Sequence, residues 1–254
     1  IRPWAPLIQL KVANREMPPY AYDHGIGIQN LQGDWRLEQE EIDTLVAWVN
    51  QGAPLGDPDS PLAAPQLNDP DAWNFVSELG EPDLVIPSVA IDIPANGNDL
   101  WSTHYVPSGI SSDRCIKAVQ VKPRGDAKSV VHHANSTIDV YNDDGELERY
   151  SMLTEYAMGK WGELVPEDVC RTIPTNSMVR WSINVVEIGL WLHPEGYEDN
   201  VGYTQDLKQY NIQYERAERD LRLVIPPHGC TMTQGFHSFD HPVRIDSFQP
   251  HGHL

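Results

Sequence analysis

Apolar residues recur along this chain in two different rhythms. Between residues 1 and 52 the spacing is helical. Pro3 and Pro6 suit a first helical turn, and Trp4, Leu7, Ile8 and Val12 make an apolar stripe that ends near Arg15. Met17-Pro18-Pro19-Tyr20 then forces an extended loop, because each proline disfavours helix in the residue before it. Ile42, Leu45, Val46 and Val49 follow the i, i+3, i+4, i+7 pattern of a second helix. Glu38, Glu40 and Glu41 favour its positive N-terminal end, and Gly52 stops it.

From residue 53 to about residue 70 the composition shifts to Pro, Asp, Ala and Gly, as in a linker. Beyond it the rhythm is that of short strands, predicted at 84–86, 90–93, 116–121, 129–133, 136–140, 178–183, 186–192, 221–225 and 243–248. Asn96-Gly97 and Asp144-Gly145 are turn signals between them. Strands at this spacing predict a β-sandwich.

Charge narrows the choice of partners. A formal net charge of −19 repels nucleic-acid phosphates and anionic lipid, so neither is expected to bind. No apolar run approaches the roughly 20 residues of a membrane span. Cys115, Cys170 and Cys230 lie far apart and form no CxxC pair, which excludes a cysteine zinc knuckle and a redox dithiol. A Cys170–Cys230 disulfide with one odd cysteine is the pairing considered from spacing. The sequence also lacks GxSxG, a Walker loop, HExxH and GxGxxG.

Ten histidines remain as the main chemical signal. His132-His133 ends the run 129–131, and His251-Gly252-His253 follows the predicted strand 243–248. In extended backbone, residues i and i+2 share a face, so His251 and His253 can offer two imidazoles to one ion. Adjacent His132 and His133 can do so only where a strand ends or bends. Imidazole suits copper, zinc or iron, copper standing highest in divalent affinity. Each pair alone reads equally as surface or hydrogen-bonded histidine. His193, next to Pro194, reads as a turn residue, and His237 and His241 as structural ones. His24, His104 and His228 have no partner pattern.

Three segments together carry a family resemblance. The stretch from Asp113-Arg114-Cys115 to His132-His133, the strand 173–183, and the closing segment 246–254 resemble the copper type II, ascorbate-dependent monooxygenases. Bacterial relatives of the peptidylglycine-hydroxylating enzymes are the nearer likeness. Met17-Pro18-Pro19-Tyr20 followed by a helix resembles the C-terminal half of a small c-type cytochrome.

The resemblance implies a mainly β fold: antiparallel β-sandwich domains of the monooxygenase type, preceded by a small α-helical cytochrome c-like segment. Residues 1–52 would be the cytochrome part, 53–70 the linker, 71–210 a first sandwich and 211–254 the start of a second. It implies two copper sites, one with His132 and His133, the other with His251 and His253. It also implies a haem c, with Met17 as axial ligand or else as a packed core methionine. The expected partners are a small organic substrate, O2 and an electron donor, in the periplasm or outside the cell. The alternative is a non-catalytic sandwich subunit of a larger exported assembly. A third histidine for the first copper, a methionine for the second and a CxxCH to attach the haem have no counterparts at the matching positions. Residues are therefore expected upstream of Ile1, between Asn184 and Val185, and after Leu254, with His193 the nearest substitute ligand.

Overall fold

In the computed structural model the chain divides into two units, Ile1–Pro65 with Phe239–Leu254, and Gln66–Ser238. The structure describes residues 1–19, 25–27, 30–31, 34–57, 59, 69, 71–92, 94–97, 102–160, 162–182, 185–207, 227–229 and 237–248.

In the first unit, α1 (Ala5–Ala13) and α2 (Gln39–Asn50) form where the periodicity predicts helices. Glu41 accepts the N–H of Glu38 at 2.8 Å and so caps the start of α2. Gly52 takes a φ of +84° just beyond its end. Gln9 ties the helices together, donating to Asn50 Oδ1 at 2.8 Å. The buried stripe differs from the predicted one. Ala5, Val12 and Ile42 are buried, whereas Trp4 and Leu7 face solvent, because Ala5 permits the close approach that a bulkier side chain would prevent. Residues 243–248 form no strand. Their apolar Val243, Ile245 and Phe248 are exposed, so nothing there rewards an extended ladder.

The second unit is a sandwich of two sheets. Its strands are β1 (Leu84–Pro87), β2 (His104–Pro107), β3 (Arg114–Pro123), β4 (His133–Tyr141), β5 (Leu147–Ala157), β6 (Glu163–Leu164), β7 (Val169–Ile173), β8 (Met178–Trp181), β9 (Val186–Leu192) and β10 (Tyr203–Thr204). The larger sheet runs β1-β9-β3-β7-β10, with β6 also on β3. The smaller runs β2-β8-β4-β5. All pairs are antiparallel except β10 with β7.

Alternation explains the core. On β9, Val186, Ile188 and Leu190 face inward and are fully buried, meeting Ile138 of β4 and Val179 and Trp181 of β8 in one cluster. The other face of the larger sheet is covered as well. Trp191 and Ala118 pack there with Phe75, Trp73 and Leu79, which lie in and around the short α3 (Val76–Leu79). The ring edges of Trp73 and Phe75 meet Trp191 at centroid distances of 6.1 and 5.3 Å, and Trp191 Nε1 donates to Gly80 O at 2.8 Å. Gly189 is required in this layer, since a Cβ there would lie 2.8 Å from the Trp73 ring. Covered on both faces, β9 reads as a near-continuous apolar run.

Three sequence expectations change here, and one falls outside what the structure describes. Residues 90–92 are not a strand; the ladder of β1 with β9 ends at the Pro87–Glu187 pair. Residues 125–129 form a 3-10 turn, and β4 begins only at His133. The predicted strand 221–225 lies outside the described residues. The disulfide joins Cys115 and Cys170, not Cys170 and Cys230. Pairing of β3 with β7 brings those two Cα atoms to 5.0 Å, within bridging range.

Candidate metal centre

Local geometry brings His132 and His133 together. Gly125–Ser129 makes a 3-10 turn after β3, and Val131 N–H donates to Ala127 O at 2.8 Å. Val131 and Ala134 are buried in the core and hold the backbone on either side of the pair. His132 precedes the first strand residue, so the two rings escape the opposite-face rule of a regular strand. Their Nδ1 atoms lie 3.4 Å apart, with the rings at 77°. His132 is exposed and His133 half-buried. Two nitrogens each about 2.0 Å from one ion, at an angle between tetrahedral and trigonal, have this separation. The same separation suits a hydrogen bond between the two rings or a pair of donors to one ion; among the described residues no third His, Cys, Asp or Glu joins them.

Behind His133 the frame is tight. Asn135 N–H donates to Ser182 Oγ at 3.1 Å, and Ser182 N–H donates to Asn135 O at 3.0 Å. Ser182, just after β8, is thus tied to β4 two residues beyond His133. Val185, just before β9, takes a φ of +68°, a costly conformation for a β-branched residue.

His193 sits elsewhere. β9 pairs with β3 from Val186 opposite Pro123 to Leu192 opposite Ile116. His193 follows Leu192, at the strand end remote from Pro123, about seven residues or roughly 23 Å along the sheet. It cannot serve as a ligand beside His132 and His133. Its ring instead stacks on Tyr197 with centroids 3.6 Å apart, and its Nε2 is buried without a hydrogen-bond partner. Burial, helped by nearby Lys117 and opposed by Glu167, lowers its pKa below the ordinary 6.5. A lowered folded pKa means that the neutral ring is favoured. Its contribution to stability is complete above about pH 6.5 and is lost as pH falls toward the folded value. His193→Phe keeps the stack and removes the proton acceptor. Melting curves from pH 7.5 to 5 are expected to fall less steeply for this variant than for the parent; parallel curves would contradict the assignment.

The remaining candidates separate clearly. Met17 is half-exposed beside Arg15, Pro18, Arg36, Leu37 and Ile42, so its thioether is open to a ligand. His241 is exposed and hydrogen-bonded to Asp240. His237 and His228 are exposed, and His104 lies opposite Trp181 across β2 and β8. His24, His251 and His253 lie outside the described residues. An open cavity of about 400 Å³ is lined by Lys122, Arg124 and Lys128, matched by Asp71, Asp126 and Glu187.

Sequence reading missed a part-buried ion cluster. Glu163 receives Lys160 at 2.8 Å, Arg171 at 2.9 Å and the Thr154 hydroxyl at 3.1 Å, while Arg171 also donates to Gln205 at 2.8 Å. Burial alone would raise the Glu163 pKa; the two cations outweigh it and hold the carboxyl below its usual value. Only Arg171, a charge between Cys170 and Thr172 in a largely buried strand, hinted at it.

The architecture defines a mainly β, sandwich-like class of protein. No protein-family model and no curated protein matches the chain.

Proposed function

We propose that the chain is an exported, copper-dependent monooxygenase-like oxidoreductase. His132 and His133 hold one copper, and His251 and His253 hold the other. The reaction inserts one atom of O2 into a C–H bond of a small organic substrate. Two electrons and two protons convert the second atom to water; a haem in the N-terminal cytochrome-like unit, with Met17 as axial ligand, would supply the electron route. Bound copper would supply the cycling between two charge states that this electron traffic requires.

The observation that carries the reading is the imidazole pair, whose Nδ1 atoms are 3.4 Å apart at a strand start. Neutral imidazoles support both copper oxidation states, and Val131 and Ala134, buried on either side, hold the backbone of the pair. The buried Cys115–Cys170 bridge supports an oxidising, exported setting.

Metal analysis of the purified, copper-loaded chain tests this. About two coppers per chain are expected, falling to about one in His132→Ala/His133→Ala, as loss of a two-imidazole site requires. A preparation that takes up zinc but no copper would favour the non-catalytic subunit instead.

A further inference from the structure

We propose that the outer face of the smaller sheet is a binding platform for a neutral oligosaccharide, built from Tyr105, Tyr141, Tyr150 and Arg180. This assignment is independent of the copper reading. Val179 of β8 and Ile138 of β4 point into the shared core, so their neighbours along each strand point outward. Arg180 lies between Tyr105 of β2 and Thr137 of β4, and Asp139 of β4 lies opposite Tyr150 of β5. These side chains therefore share one face.

Tyr105, Tyr141 and Tyr150 are 48, 38 and 62% exposed. A side-chain hydrogen bond joins Tyr105 to Tyr141 across β8. Asp139 is only 1% exposed although it lies on the solvent side, because its neighbours reach over it. The Thr137 hydroxyl donates to Asp139 Oδ1 at 2.6 Å, and Arg180 Nε lies 3.0 Å from Asp139 Oδ2. Arg180 Nε also donates to Thr137 Oγ1 at 3.0 Å, and the guanidinium carbon is 5.9 Å from the centre of the Tyr150 ring. The arginine is thus pinned at its Nε. Among the described residues its two terminal nitrogens donate to no protein acceptor, and its side chain is 35% exposed.

This combination selects a sugar. A pyranose ring has an apolar C–H face that stacks on an aromatic ring, and a rim of hydroxyls that takes hydrogen bonds. The phenol rings offer the first surface; their hydroxyls and the guanidinium N–H groups meet the second. Three inter-strand steps of about 4.8 Å separate β2 from β5, so Tyr105 and Tyr150 stand at least roughly 14 Å apart, room for about three sugar units. A polyanion is disfavoured, because Asp139 neutralises Arg180 and the chain carries a net charge of −19. Protein interfaces are depleted of charge at their centre, whereas this face is centred on an ion pair.

Calorimetric titration of the whole 254-residue chain with cellohexaose, xylohexaose, chitohexaose and maltohexaose tests this, with hexagalacturonate as the charged comparison. At least one neutral hexasaccharide is expected to bind with a Kd below about 1 mM. Tyr150→Ala should weaken that binding about fivefold or more, whereas Tyr150→Phe, which keeps the ring, should stay within about twofold. Tyr150 is exposed, so neither variant disturbs the core; circular dichroism checks the fold. The proposal is overturned if none of the four neutral sugars binds, if only hexagalacturonate binds, or if Tyr150→Ala binds as tightly as the parent. Sedimentation that shows the parent, but not Tyr150→Ala, pairing with a second copy would also overturn it, by assigning the face to a protein contact.

Discussion

Replacing Cys115 and Cys170 with alanine is expected to cost about 4 kcal/mol of stability. The bridge closes a loop spanning 55 residues from β3 to β7. Loop-closure entropy for that length gives roughly 4 kcal/mol, within the about 2–5 kcal/mol typical of native disulfides. Both sulfurs are buried, so the variant also loses packing in the layer that supports His193, whose N–H donates to Cys115 O at 2.9 Å. Urea unfolding of the double variant against the parent, both in non-reducing buffer, measures the difference. Adding reductant should lower the parent's midpoint and leave the variant's unchanged. Equal midpoints without reductant would show that the bridge is dispensable.

Glu163→Ala is expected to cost about 3 kcal/mol, near the low end of the 3–5 kcal/mol seen when one partner of a buried ion pair is removed. The loss arises because Arg171, whose side chain is 7% exposed, keeps its charge without its carboxylate. Gln205 still accepts one of its N–H groups, which places the cost at the lower end. The sign of the pH dependence follows from the lowered Glu163 pKa. A depressed carboxylate adds stability that is present above its unfolded value, about 4.5, and lost as pH falls through the folded one. The penalty of the variant should therefore shrink in acid. Glu163→Leu/Arg171→Met, which removes both charges, should recover most of the loss at pH 7. A double variant as unstable as the single one would mean that shape, not charge, decides this site.

The sequence made some layers plain and hid others for identifiable reasons. β3 and β9 were legible because both faces are covered, leaving few polar interruptions in 116–121 and 186–192. Helix α2 was legible from its acidic first turn and regular spacing. β5 was missed, because two register shifts against β4 disrupt its alternation and its first half is exposed. The stretch before His133 misled in the other direction. Val130 and Val131 are β-branched, yet backbone bonds to Ala127 bend them out of a ladder. That bend also frees the histidine pair to meet, which composition alone left open. The disulfide partner of Cys170 depended on which strand lies beside β7, information that no local pattern contains.

The unequal covering of the two sheets has a consequence for motion. β3 and β9 are bonded on both sides and roofed by Trp73, Phe75 and Trp191, so their amide protons should exchange with solvent only when the whole unit unfolds. Among the described residues, β4 and β5 have the shared core on one side only, and β5 ends its own sheet. Their amides should exchange sooner, through partial openings. His132 and His133 therefore ride on the layer that can breathe while the rest of the sandwich stays shut.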